Sequence, residues 1–307
     1  MNPSRSLISL TGATKIYGGR AVLNEVSLTI GAGSATALIG RNGSGKSTLL
    51  AVLAGLLQLS SGILKRSHPK LRIGYAPEAF TGMKLPAEQY LRHMGRISGI
   101  SPAELERQIT ELLEAFHLQP FRKQPVISYS KGMLQKVNLI QSLLGEPELL
   151  LLDEPLSGLD LPAQHILIER LQELKRKGTA LVFSVHEPLC VEALEAEVHV
   201  LQAGWTHMIT SADKLREKSS SCLVCTPLEY HEQQIMTGMP GFVAAQSVHT
   251  TLAGKCTEWT VDTAYADDFL RYILQYGGSV ISVEHRSGRN RLEEWMDPKR
   301  SGEENTG

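Results

Sequence analysis

The nine residues GRNGSGKST, from Gly40 to Thr48, follow the apolar run SATALI at 34–39 and precede the apolar run LLAVLAGLL, which ends at Leu57. Gly40, four further residues and then Gly45-Lys46-Ser47 have the spacing of a phosphate-binding loop between a strand and a helix. Glycines let successive backbone N–H groups curl around a phosphate, and the start of a helix adds partial positive charge. The sequence therefore predicts a nucleotide site, because a purely structural turn has no need of the lysine and hydroxyl.

Each polar side chain of this loop has an expected partner. Lys46 is expected to reach the terminal phosphates, and Ser47 to offer its hydroxyl to Mg²⁺. The expected nucleotide contacts are Gly40, Arg41, Asn42, Gly43, Ser44, Gly45, Lys46, Ser47 and Thr48. The loop alone does not separate kinases, GTPases and ATPases, so a second, acidic motif has to decide.

That acidic motif is the run Leu149 to Leu152 followed by Asp153 and Glu154. The leucines predict a buried strand that presents both acids at its carboxyl end. Asp153 is expected to hold Mg²⁺, and Glu154 to polarise the water that attacks the γ-phosphate. The alternative for Glu154 is a carboxylate at a helix entry. The tight turn that follows, with Pro155 and then SGLD at 157–160, favours the catalytic role.

Length and composition bound the remaining possibilities. The chain has 307 residues, a formal net charge of -1 and 42% apolar residues, so it is long enough for a large packed core and carries no overall positive field for nucleic acid. Its longest apolar run, Leu49 to Leu57, is about half the length that crosses a bilayer. The N-terminus lacks the continuous apolar stretch of a secretory signal. We expect a cytosolic protein without membrane spans.

The order of apolar runs predicts an α/β core over residues 1–210. Short β-rich runs from Leu7 to Ile39 predict a small N-terminal sheet. Helical periodicity between Pro86 and Leu118 predicts a helical insertion, placed at about 80–145, with Ser101 as a helix N-cap. The runs ELLLLDEP and TALVFSVH predict buried strands of a mostly parallel sheet covered on both faces.

Composition changes after about Trp205, which predicts a second α+β domain at 211–295 and a disordered tail at 296–307. The expected order of elements is strand, helix, strand, strand, helix, strand, which fits a ferredoxin-like arrangement. Cys222 and Cys225 form a CxxC pair within a predicted strand, where positions i and i+3 face opposite sides. Buried thiols are therefore expected there, rather than a metal site.

Taken in order from about Leu7 to Trp205, these motifs resemble the ATP-binding cassette (ABC) family of transporter ATPases. GRNGSGKST is similar to the family's phosphate-binding loop, SGLD to its D-loop, and His186 in VFSVHE to its switch histidine. The family's signature, usually LSGGQ, is matched by YSKGM at 129–133, which resembles the version in bacterial exporters of peptides, antibiotics or lipids. The resemblance implies the fold of these P-loop ATPases, with an N-terminal antiparallel β-subdomain.

The resemblance also implies roles for individual residues. Two cassettes would face each other, each with its signature residues Ser130, Lys131 and Gly132 on the nucleotide held by the other. Tyr17 would stack on adenine, and His186 would contact the γ-phosphate and support Glu154. The nucleotide contacts implied beyond the phosphate-binding loop are Tyr17, Glu78, Ser130, Lys131, Gly132 and Asp160.

One position departs from the family pattern. Glu78 in GYAPE stands where the family has a glutamine, at the entry to the helical insertion. A carboxylate near Mg²⁺ binds the cation more strongly than an amide but repels the γ-phosphate. We expect Glu78 to affect the hydrolysis rate or the coupling to a membrane partner, rather than nucleotide binding.

The function implied is that of an ATP-hydrolysing subunit of a bacterial exporter. Its cofactors would be ATP and Mg²⁺, and its partners separately encoded transmembrane permease subunits and a second nucleotide-binding subunit, identical or different. It would lie at the inner face of the cell membrane and bind no nucleic acid. The alternatives are a soluble ATPase of the same superfamily in translation or DNA maintenance, and a small-molecule kinase. The single cassette and the lack of a long coiled coil argue against the first alternative. The signature and the D-loop argue against the second. The transported substrate is not encoded in these motifs.

Overall fold

The computed structural model describes residues 6–185, 188–202, 204–210, 220–250 and 254–286. Within these residues the chain forms two compact units, one from Ser6 to Thr210 and one from Ser220 to Arg286. The helices in the described ranges all fall short of the length and apolar character required to cross a bilayer.

The first unit alternates strands and helices. In chain order its elements are β1 (Ser6–Tyr17), β2 (Arg20–Gly31), β3 (Ala35–Ile39), α1 (Lys46–Ala54), β4 (Ser61–Arg66), β5 (Ile73–Ala76), α2 (Ala87–Ile97), α3 (Pro102–Ala115), α4 (Lys131–Leu143), β6 (Leu149–Asp153), α5 (Leu161–Arg176), β7 (Ala180–Ser184), α6 (Pro188–Ala193), β8 (Glu197–Gln202) and β9 (Trp205–Thr210). The predicted α/β class is confirmed.

A mostly parallel sheet lies at the centre of this unit. Among the described residues its strand order is β5-β6-β7-β3-β8-β9, with β9 antiparallel to β8 and the other neighbours parallel. Every residue of β3, β6 and β7 is buried, as expected for continuous apolar strands covered on both faces. Ligands of such sheets bind beyond the carboxyl ends of the strands. The phosphate-binding loop follows β3, and the paired acids lie at the carboxyl end of β6, with β7 between the two strands.

A second, antiparallel sheet is formed by β2, β1 and β4, in that order. Its buried side chains, such as Ile8, Leu23 and Ile30, share one apolar core with Leu49 and Leu53 of α1 and with Leu151 of β6. The shared core anchors α1, and so the end of the phosphate-binding loop, on both sheets.

The helical insertion contains α2, α3 and α4. Ser101 has the extended backbone of an N-cap and Pro102 opens α3, but the Ser101 side chain makes no capping hydrogen bond. The predicted N-cap position is therefore confirmed, but the Ser101 side chain does not bond to the first turn of the helix. Glu104 is instead bound by Arg107, whose Nε donates to Glu104 Oε2 at 2.9 Å, and by the Gln108 amide at 2.6 Å. A cation one turn away attracts the carboxylate more strongly than a neutral backbone N–H does.

The described part of the second unit contains a four-stranded antiparallel sheet and two α-helices. Its elements are β10 (Ser220–Cys225), α7 (Tyr230–Thr237), β11 (Phe242–Thr250), β12 (Gly254–Asp262), α8 (Ala266–Gln275) and β13 (Val280–Arg286). Within the described ranges the strand order is β11-β12-β10-β13, which places the first and third strands at the centre. Trp259 of β12 and Phe269 of α8 are buried together with Met236 of α7. The chain order strand, helix, strand, strand, helix, strand, with the first and third strands at the centre of the sheet, is that of a split βαβ arrangement.

The CxxC pair lies on the central strand β10. Both thiols are buried, and Cys225 belongs to the apolar core between the sheet and the helices. Burial is the main cause that raises the pKa of Cys225. The expected disordered tail, 296–307, lies outside the described residues.

Candidate functional site

The loop after β3 has two glycines that no other residue could replace without a shift of the backbone. Both have positive φ, +152° at Gly40 and +106° at Gly45. A Cβ at Gly40 would lie 2.3 Å from the Leu201 carbonyl oxygen, and one at Gly45 would lie 2.7 Å from the Val22 carbonyl oxygen. The loop therefore packs directly on neighbouring backbone, which fixes its shape.

Lys46 is the first residue of α1 and is 6% exposed. Its Nζ donates to the Gly40 carbonyl at 2.7 Å and to the Arg41 carbonyl at 3.4 Å, so the ammonium group is held across the mouth of the loop. Burial lowers the pKa of Lys46, against the attraction of Glu154, Asp153 and Glu78. An ammonium group has three N–H donors, which leaves one for a phosphate oxygen.

The two acids occupy the end of β6. Asp153 is 2% exposed, and its Oδ1 accepts a hydrogen bond of 2.6 Å from the Ser184 hydroxyl on β7. Glu154 has a left-handed backbone, with φ of 51°, and its N–H donates to the same Ser184 oxygen at 2.9 Å. Sequence reasoning missed Ser184. The sequence shows only that Ser184 ends the apolar run ALVFS, and the structure adds that it pairs in register with Asp153.

One cavity of about 380 Å³ brings the two motifs together. Its wall carries the backbone and polar groups of the phosphate-binding loop on one side and carboxylates on the other. The lining residues are Val22, Asn42, Gly43, Gly45, Lys46, Ser47, Thr48, Glu78, Asp153 and Glu154. Buried Ser44 Oγ, beside Gly40, makes no hydrogen bond within the described part of the chain. Loop N–H groups, a lysine and an unsatisfied hydroxyl fit a polyphosphate, while Ser47 and Asp153 offer the hard oxygen ligands that Mg²⁺ prefers.

The predicted signature residues lie elsewhere, at the start of α4. Ser130 is the N-cap, and its Oγ accepts from the Met133 N–H at 3.3 Å. Ser130 and Lys131 are exposed and do not line the cavity. Gly132 packs against the D-loop, because a Cβ there would lie 2.9 Å from the Gly158 carbonyl oxygen. The described chain therefore exposes Ser130 and Lys131 to solvent outside the cavity that its own phosphate-binding loop lines.

Asp160 of the D-loop is bound within the chain. Its Oδ1 caps α5 by accepting from the Ala163 N–H at 2.9 Å, and its Oδ2 pairs with Lys136 Nζ at 3.0 Å. These two bonds lower the pKa of the Asp160 carboxyl. The structure shows a link between the D-loop and the signature helix, and Asp160 does not line the cavity. Its nucleotide contact remains a prediction.

Two further predicted residues lie at the margins. Tyr17 ends β1 with a half-exposed ring, and Lys15 Nζ lies 5.0 Å from the ring centroid. The ring does not line the 380 Å³ cavity, so adenine stacking remains a prediction. His186 lies outside the described residues.

Comparisons with known proteins agree with this geometry. Residues 23–157 match the sequence profile of the family described as ABC transporter. The chain is 32% identical over 213 residues to the ABC transporter ATP-binding protein NatA of Bacillus subtilis, which covers 64% of this chain and 87% of NatA. It is 35% identical over 218 residues to Nod factor export ATP-binding protein I of Rhizobium johnstonii, covering 66% and 70%. The chain belongs to the ABC transporter ATP-binding protein family.

Solved structures of ABC cassettes support the same conclusion. An ATP-binding subunit of an ABC transporter, 32% identical, matches with a TM-score of 0.64 over 68% of this chain and 92% of its own. A dimeric ATP-binding cassette bound to ADP and phosphate, 21% identical, matches with a TM-score of 0.62 and shares the fold. As a member of the ABC family, this chain is an ATPase, as predicted. The relatives named here are transport proteins and give no support to the alternative in translation or DNA maintenance.

Glu78 is a further acidic residue at the site. The structure places this carboxylate on the wall of the cavity that holds Lys46 and Asp153. It is close enough to Lys46 to contribute to the attraction felt by the ammonium group. Glu78 is therefore a third carboxylate, beside Asp153 and Glu154, in the lining of this cavity.

Proposed function

We propose that this chain is the ATP-hydrolysing subunit of an ABC exporter and acts on separately encoded transmembrane subunits at the inner face of the membrane. The observation that carries the proposal is the single cavity in which Lys46, Ser47, Asp153 and Glu154 meet. Export is supported by the YSKGM signature and by the likeness to Nod factor export ATP-binding protein I. The substrate class is peptide, antibiotic, drug or lipid, as in the exporters that share this signature.

The catalytic unit is a pair of cassettes. Ser130 and Lys131 are exposed at the start of α4 and lie outside the cavity of their own chain. The N-terminus of α4, the Ser130 hydroxyl and the positive charge of Lys131 together suit a phosphate group that belongs to another molecule. A second cassette, identical or different, would supply that phosphate on its own loop.

Within one site the chain's residues divide the work. The loop N–H groups and Lys46 bind the phosphates, and Ser47 and Asp153 would hold Mg²⁺, which supplies neutralisation of phosphate charge when bound. Glu154, directly after β6, polarises the attacking water, and His186 is proposed to support Glu154 in this role. Tyr17 is proposed to stack on the base.

Replacing Glu78 by Gln is expected to preserve ATP binding, with a dissociation constant within about threefold of wild type, because the loop and Lys46 supply most phosphate contacts. The hydrolysis rate and its stimulation by the membrane partner are expected to change, since one negative charge leaves the γ-phosphate region. Fluorescent ATP-analogue titration and ATPase assays check both. A Glu78→Gln chain unable to bind nucleotide would contradict a role in rate and coupling.

The proposed function is tested by co-purification of the tagged chain from detergent-solubilised native membranes, with mass spectrometry of the bound proteins. We expect a stoichiometric multi-spanning partner that raises the ATPase rate of the wild-type chain. The Glu154→Gln chain should co-purify with the same partner but show no ATPase activity. Recovery of ribosomal or DNA-repair proteins instead, with activity confined to the soluble fraction, would overturn the exporter proposal and leave the ATPase assignment in place.

A further inference from the structure

Ser184 joins the two acids of the site. It is the last residue of β7, is fully buried, and pairs in register with Asp153 of β6. Its oxygen donates to Asp153 Oδ1 at 2.6 Å and accepts from the Glu154 N–H at 2.9 Å. One hydroxyl therefore uses its single proton on the first acid and a lone pair on the backbone of the second.

Each of these bonds constrains an acid in a different way. The bond to Asp153 occupies Oδ1, which leaves Oδ2 for a cation. The bond to Glu154 secures a peptide that precedes a left-handed residue, with φ of 51°. Such a conformation is strained for a residue other than glycine and persists only where the surroundings hold it.

We propose that Ser184 is a positioning residue for ATP hydrolysis, which sets the metal-binding acid Asp153 and the water-polarising acid Glu154 in one fixed relation. The inference rests on the proposed Mg²⁺ site at Asp153. Partners that orient a metal ligand typically cost about 10–100-fold in metal affinity or activity when removed. Ser184 lies within a buried strand, and so belongs neither to the phosphate-binding loop nor to the helical insertion.

The test compares Ser184→Thr with Ser184→Val, because threonine and valine have nearly the same shape and differ by the hydroxyl. Ser184→Thr is expected to stay within about threefold of wild type. Ser184→Val is expected to lower kcat about tenfold or more and to raise the Mg²⁺ concentration at half-maximal rate by a similar factor. Mn²⁺ binding, followed by electron paramagnetic resonance with a non-hydrolysable ATP analogue, should weaken in the same variant.

A control separates positioning from loss of stability. Thr179 lies just before β7, is buried, and donates its hydroxyl to the Pro147 carbonyl at 2.9 Å, away from the cavity. Thr179→Val removes a comparable hydrogen bond and is expected to lower the unfolding temperature without changing kcat or the Mn²⁺ affinity. Circular dichroism melts of all variants identify the temperature at which each remains folded.

Two outcomes would overturn the inference. Ser184→Val and Ser184→Thr could share one kcat and one Mn²⁺ affinity below their melting temperatures, which would reduce Ser184 to a structural residue. Alternatively, Ser184→Val could change only the affinity for the fluorescent ATP analogue. Failure of the proposed cation site itself is distinct, because wild-type protein would then bind no Mn²⁺ with the analogue.

Discussion

A Glu154→Gln chain is expected to bind ATP with near wild-type affinity and to hydrolyse it about 100 to 10,000 times more slowly, the range that positioned general bases contribute. The amide has nearly the same size as the carboxylate. It also leaves the hydrogen bond to Ser184 in place, because the backbone N–H of residue 154, and not its side chain, donates to the Ser184 hydroxyl. It cannot accept a proton from water. Phosphate release under single-turnover conditions measures the loss, and titration with a fluorescent ATP analogue checks binding.

Glu195 offers a matched control for this change. It is exposed, and like Glu154 it has a positive φ, of 47°, so Glu195→Gln tests the same substitution in the same backbone conformation away from the cavity. We expect its ATPase rate to stay within about twofold of wild type, as surface substitutions usually have small effects. A Glu154→Gln chain that hydrolyses ATP as fast as Glu195→Gln would show that another group polarises the water.

Much of the fold follows from local patterns. The apolar runs at Ala35–Ile39, Leu149–Asp153 and Ala180–Ser184 form the buried parallel strands, because uninterrupted apolar residues suit a strand covered on both faces. The loop at 40–48 could be predicted because its function requires particular residues at fixed spacing. Strands β4 and β5 carry no comparable pattern, since β4 is mostly exposed and β5 has only four residues.

The relations between distant residues could not be predicted from the sequence. Ser184 reaches Asp153 across 31 positions, and Lys136 reaches Asp160 across 24. Neither pair has a local periodicity, because strand order and helix packing bring the partners together. Arg107 and Gln108 bind the Glu104 carboxylate three residues after the Ser101 N-cap, whose side chain makes no capping bond, and neither feature could be predicted from the sequence. Local sequence patterns indicate interactions between residues that are close in sequence, whereas the tertiary fold determines which distant residues come into contact.

Lys46→Met is expected to raise the dissociation constant for ATP about 100-fold or more, with ATPase activity lost at millimolar ATP. Methionine keeps the apolar stem of the buried side chain and removes the ammonium group that lies at the loop mouth. Charge-assisted hydrogen bonds are worth about 1.5–3 kcal/mol each, and every 1.4 kcal/mol is about tenfold in affinity. The one donor that Lys46 has left for a phosphate oxygen, together with the loss of its positive charge beside three carboxylates, accounts for the expected loss, which isothermal titration with ATP and Mg²⁺ would measure.

Lys175→Met is the matched control, because Lys175 also donates Nζ to a backbone carbonyl, that of Leu194 at 2.6 Å, but on α5 and outside the cavity. Its ATP affinity should equal that of wild type. The Lys46 change also removes a cation that interacts with Glu78, Asp153 and Glu154. These carboxylates would then repel the incoming phosphates without compensation, so high salt, which screens charge, should recover part of the affinity of Lys46→Met. An unchanged dissociation constant in Lys46→Met would mean that the loop N–H groups alone hold the nucleotide.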